Sequence, residues 1–157
     1  MAKARKKSVK NPASSPKKQI VRVENAVKNL LEALEQDLSG ELESTPKRVA
    51  NLWLEHLLVG DQLTSEQILT QSTMESDTAT PVCVTNLGTY LICPHHLTIA
   101  FGQTHIAYEP NGKLVGFGAL ADLVKNNTAR LTFQEDATEK IADAIFSHLD
   151  AKSVIVM

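Results

Sequence analysis

Aromatic residues make up only 4% of the 157-residue chain, against 43% hydrophobic residues overall. The core is therefore expected to be aliphatic, with little ring stacking to organise it. The two cysteines, Cys83 and Cys93, are too few for a disulfide scaffold and suit a thiol protein of the cytoplasm. If one continuous strand joins them they lie about 33 Å apart, beyond disulfide reach. No apolar run approaches the roughly 18 residues of a membrane helix, so no membrane partner is expected. The N-terminus has no apolar h-region, so no secretory signal is expected. No internal repeat is visible.

Acid is missing from one end. Residues 1–18, "MAKARKKSVKNPASSPKK", hold seven of the 16 Lys/Arg and none of the 18 Asp/Glu, so the remainder carries nine cations against 18 anions, a net charge of −9. Low apolar content and two prolines make residues 1–18 a disordered, solubilising tail. Any contact with nucleic acid is expected through this tail alone. Residues 19–157 are read as one folded domain.

Val23, Val27, Leu30, Leu31, Leu34 and Leu38 recur at helical spacing and predict an amphipathic helix ending near Gly40. Thr45-Pro46 marks a second helix start, with Thr45 as cap and proline in the first turn. Its apolar stripe includes Trp53 and a packed His56, and Gly60 ends it. Thr64 with Gln67 forms a capping-box pair. Residues 80–92 favour a strand, with Thr104 to Glu109 as partner and "EPNGK" as turn. "GALADLVKNN" reads as a short helix. Asp136 with Glu139 is a capping-box pair opening another, lined by Ile141, Ile145 and Leu149. "SVIVM" closes as a strand. This order is an α+β pattern.

The chemistry concentrates in "ICPHHLTIAFGQTHIAYEPNG", residues 92–112. Cys93 and His96 have a metal-ligand spacing, and thiolate and imidazole both suit zinc. A buried cysteine beside two strand histidines gives the same pattern. On a regular strand His95 and His96 face opposite ways, leaving one for a metal and the other for proton transfer. In "FQED", Gln134 and Glu135 pair an amide with a carboxylate. Together these can hold a purine edge, or they can simply begin a helix.

"TPKRVANLW", "CPHH", "FGQTHIAYEPNGKLVG" and "ARLTFQEDATEKIADAI" together resemble the GTP cyclohydrolase I family from about residue 25 to 157. The resemblance implies a tunnelling fold, an antiparallel four-stranded sheet with two helices between its halves, behind an N-terminal helical extension. It implies a cytoplasmic homo-oligomer, usually stacked rings. It makes Cys93 and His96 zinc ligands, His95 the proton-transfer residue, and Gln134 with Glu135 the grip on guanine. The implied reaction is attack of zinc-activated water on C8 of GTP, loss of formate and closure to a dihydroneopterin, a pterin of the tetrahydrofolate route.

The sequence departs from that pattern. Pro94 replaces a glutamate. Gly118-Ala119 replaces a Ser-Lys pair and Asp122 an arginine, positions that hold the triphosphate in the family. The strand bearing the family's third zinc ligand, a cysteine, is expected after "SVIVM" and is not in the sequence. Cys83, His105 and His148 are weaker substitutes. These losses make a less phosphorylated guanine compound a candidate substrate beside GTP, and a non-catalytic purine- or pterin-binding or regulatory member of the same fold is the alternative. A 7-cyano-7-deazaguanine reductase-like enzyme with Cys93 as nucleophile is a further one.

Overall fold

The structure, a computed structural model, describes residues 16–60 and 62–157. The basic tail up to residue 15 lies outside the described residues. The chain divides into two compact units, Met1–Leu54 and Glu55–Met157.

In the first unit, helix α1, Pro16–Ala33, already includes residues 16–18 of the supposed tail and stops well before Gly40. Leu34 and Leu38 fall beyond it because the chain turns at Glu35, which has a φ of 55°. Helix α2, Thr45–Asn51, packs against α1. Thr45 is its first residue and not its cap; Ser44 holds the cap position and Pro46 sits in the first turn, buried with Ala50. A π-helical turn, Leu52–Leu57, continues α2.

The second unit holds helix α3, Ser65–Thr70, strands β1, Thr73–Glu75, β2, Val82–Ile92, β3, Ile99–Glu109, and β4, Lys113–Val115, then helices α4, Phe117–Thr128, and α5, Gln134–Leu149, and strand β5, Ser153–Val156. The main sheet is antiparallel in the order β2-β3-β5, and β1 pairs with β4 in a separate ribbon. Two helices thus stand between β3 and the strand that returns beside it, as the expected fold requires, although the described sheet has three strands rather than four. Along β3, Thr104, Ile106 and Tyr108 are buried and alternate with more exposed residues, the period-2 signature of a sheet covered on one face. Leu120, Leu123, Ile141, Ile145 and Leu149 from α4 and α5 complete the aliphatic core on that face.

Two local features shape the sheet. The β2–β3 register shifts between Val84 and Leu87, where Asn86 takes a φ of 62° and its N–H donates to His105 Nδ1 at 3.4 Å. The Thr64–Gln67 capping box forms with both reciprocal bonds. The corresponding expectation for Asp136 is corrected: Phe133 occupies the cap position of α5 and Asp136 lies in its first turn.

Candidate active site

The Cys93–His96 segment is not strand. β2 ends at Ile92 and β3 begins at Ile99, so Cys93, Pro94, His95 and His96 form the turn of a long hairpin. The turn is closed by Cys93 N–H to Thr98 O at 2.9 Å and Leu97 N–H to Cys93 O at 2.9 Å, with Leu97 at a φ of 56°. The expectation that the two histidines take opposite faces of a strand therefore fails. Pro94 has no N–H to give a ladder, and the tight turn curls His96 back toward Cys93. Cys93 Sγ and His96 Nδ1 lie 4.0 Å apart. His95 stands beside His96, ring centroids 6.0 Å apart at 74°. Both histidines are exposed and Cys93 is half-buried.

The second cluster is strapped to the first. Ile92, fully buried, forms a parallel bridge with Leu131: its N–H donates to Arg130 O at 3.0 Å and its C=O accepts from Thr132 N–H at 3.3 Å. The next residue, Phe133, meets His95 with ring centroids 5.0 Å apart, and Gln134 and Glu135 follow at the exposed start of α5. Forty residues of sequence separate the two motifs, and one short backbone bridge closes that gap. Gln134 also lines a hollow of about 170 Å³ with Thr89, Thr104, Thr138, Ile141 and Met157.

The positions matched to triphosphate binding lie elsewhere. Ala119 and Asp122 line a different hollow of about 300 Å³, with Gln71, Lys125 and Asn126, and the two hollows share no lining residue. Ala119 is buried in the core and Asp122 is exposed. Of the weaker ligand substitutes, Cys83 sits at the far end of β2, His105 is engaged with Asn86, and His148 lies in the last turn of α5. Among the described residues no group of three His, Cys, Asp or Glu side chains could hold a metal ion. His56, expected in a packed stripe, is exposed; its carbonyl accepts from Tyr90 OH. Burial raises the Tyr90 phenol above its usual value.

Sequence reasoning missed Phe133 and the Arg130–Thr132 strap. A phenylalanine immediately before Gln-Glu was visible, but its ring partner was not.

The sequence profile of GTP cyclohydrolase I matches residues 23–157. A GTP cyclohydrolase 1 of Campylobacter lari is 38% identical over 135 residues, spanning 85% of this chain and 70% of the relative. One from Clostridium perfringens is 34% identical over 137 residues, 87% of this chain and 73% of the relative. One from Hyperthermus butylicus is 36% identical over 137 residues, 87% and 68% respectively.

Proposed function

The chain belongs to the GTP cyclohydrolase I family, hydrolases that open the purine ring of GTP in pterin and folate biosynthesis, and from that premise we propose how its own residues serve that chemistry. The observation that supports the reading is the Ile92–Leu131 bridge with the Phe133–His95 ring contact, which joins the residue before Gln134 and Glu135 to the Cys93–His96 turn.

Glu135 accepts hydrogen bonds from the ring N–H and amino group of guanine, and the Gln134 amide donates to its carbonyl. His95, leaning on Phe133, delivers a proton to the imidazole nitrogen released as the ring opens, the role for which imidazole is suited near neutral pH. Formate leaves and a dihydroneopterin forms.

Members of the family use zinc. Tetrahedral zinc with Zn–S of about 2.3 Å and Zn–N of about 2.0–2.1 Å sets sulfur and nitrogen roughly 3.6 Å apart. Cys93 Sγ and His96 Nδ1 at 4.0 Å reach that spacing with a small side-chain rotation, so this donor pair fits the ion. When bound, zinc supplies Lewis acidity that makes water a nucleophile near neutral pH. Cys93 and His96 would hold it, together with a further donor.

Self-association belongs to the same reading, as does a cytoplasmic location. If Asp122 and Lys125 meet the same substrate as Gln134, their separate hollows favour contributions from different copies. A second reading, binding of a guanine compound or pterin without turnover, is favoured by Asp122 and Ala119 at positions that carry cations in the family.

Purified protein with zinc, given GTP or guanosine and assayed for formate and a fluorescent pterin, separates the two. Product that disappears in His95→Gln supports the enzyme. Stoichiometric binding without product supports the second reading. Binding that survives Glu135→Ala unchanged removes the base grip from both.

A further inference from the structure

The turn between β3 and β4 reads Glu109-Pro-Asn-Gly-Lys113. Its flanks are tied down. The Glu109 carboxylate pairs with Lys152 at 3.3 Å and its carbonyl accepts from Lys152 N–H at 3.0 Å. Gly112 O accepts from Ser76 N–H at 3.0 Å, and Lys113 Nζ pairs with Asp150 at 2.6 Å. The middle is open. Asn111 and Gly112 are both exposed. Among the described residues, neither the Asn111 side chain nor the Gly112 N–H has a hydrogen-bond partner. Gly112 has a φ of 81°, a conformation that glycine adopts without steric cost.

An unpartnered backbone N–H directly after an asparagine is a nucleophile for that side chain's amide carbon. Glycine has no Cβ to crowd the approach. Every other asparagine among the described residues is followed by a residue that has one. Asn25, Asn29, Asn51, Asn126 and Asn127 also lie within helices, where the hydrogen-bond ladder fixes the backbone. Asn86 precedes Leu87, which is buried in the core. Asn111 alone combines exposure, an open N–H and a glycine neighbour.

We propose that Asn111-Gly112 is a site of spontaneous covalent modification that loosens the β1–β4 ribbon. The Gly112 nitrogen attacks Asn111 Cγ. Its proton passes through water to the departing side-chain amide. A new C–N bond forms, the old Cγ–N bond breaks, and ammonia leaves. Water then opens the cyclic imide at either carbonyl. The products are aspartate, or isoaspartate with the chain running through Cβ. No oxidant, reductant or cofactor takes part. Both products add a carboxylate to a corner where Glu75, Glu109 and Asp150 already share Lys113 and Lys152. Isoaspartate also inserts an extra backbone carbon before Gly112. That shifts Gly112 O against Ser76 N–H, and Lys113 against its register partner Glu75. None of this depends on the purine chemistry.

Ageing the full-length protein in mildly alkaline buffer tests this, with peptide mapping by mass spectrometry and labelling by an isoaspartyl methyltransferase. Asn111 is expected to convert at least roughly tenfold faster than any other described asparagine, a barrier lower by about 1.4 kcal/mol. Because the Gly112 N–H is open, the rate in the folded protein should lie within roughly tenfold of that in a free peptide of the same turn. Asn111→Gln, whose longer side chain must close a larger ring, should stay unmodified there; circular dichroism checks its folding. After ageing, hydrogen exchange at the Ser76 amide is expected to quicken in wild type and not in Asn111→Gln. A folded chain that keeps Asn111 intact while the peptide converts overturns the site. So does faster conversion at another described asparagine. Conversion at Asn111 with unchanged Ser76 exchange overturns the loosening of the ribbon.

Discussion

Gly60 is where fold and site are most tightly coupled. Its φ is not in the left-handed region, so glycine is not needed there for backbone freedom. In an open position Gly→Ala would stabilise the protein by about 0.4–1 kcal/mol, by restricting the unfolded chain. Here the Cβ of alanine would fall 2.7 Å from Asn126 O and 2.9 Å from Ala129 O. Both are backbone atoms that cannot swing aside. The Gly60 N–H also donates to Ala129 O at 2.8 Å. Overpacking costs about 1–3 kcal/mol, and a strained hydrogen bond about 0.5–1.5 kcal/mol more. Gly60→Ala is therefore expected to destabilise by about 1.5–4.5 kcal/mol, lowering the melting temperature by roughly 3 °C or more at about 2–4 °C per kcal/mol for a chain of about 150 residues. Ala129 leads directly into the Arg130–Thr132 strap, so guanosine affinity should fall with stability even though Gly60 touches no ligand. Calorimetric melting and titration on the same preparation measure both. The sign decides: a melting temperature equal to or above wild type refutes the close-approach account. A large drop with unchanged guanosine affinity refutes its link to the strap.

Phe133→Ala removes an aromatic contact of about 0.5–1.5 kcal/mol from His95, so turnover should fall about 2–10-fold while zinc content, proposed to depend on Cys93 and His96, stays at wild-type level by metal analysis; loss of zinc would contradict the division of roles. GTP should bind no tighter than guanosine in calorimetric titration. Asp122→Arg, at an exposed position, should improve GTP alone by roughly tenfold or more, one charge-assisted bond; the matching change at Ala119 is unsuitable because Ala119 is 6% exposed and lies in the core. Burial raises the Tyr108 phenol above 10.0, opposed in part by the hydrogen bond it accepts from Val115 N–H. With the folded pKa above the unfolded one, its contribution is intact below pH 10 and is lost as pH rises past it. Denaturant titrations across pH 9 to 12 should show stability falling less steeply in Tyr108→Phe.

The sequence by itself determined the local elements and the chemical vocabulary. The Thr64–Gln67 capping box, the glycine-bearing turn after Pro110, the helical periodicity of Ile141, Ile145 and Leu149, and the β-rich residues before Cys93 all act over a few residues, so they were legible without tertiary information. The family resemblance named Cys93, His95, His96, Gln134 and Glu135 for the same reason: each motif is contiguous. Only the tertiary structure decided how these pieces meet. Pro94 and the closed hydrogen bonds around it turned a supposed strand into a hairpin tip and brought His96 within 4.0 Å of Cys93. The bridge from Ile92 to Leu131 brought Phe133, the residue before Gln134, onto His95. His56 left its expected stripe because the helix loosened into a π-helical turn. Such pairings join backbone groups distant in sequence, and a backbone hydrogen bond carries no residue signature, so no pattern of side chains could announce them.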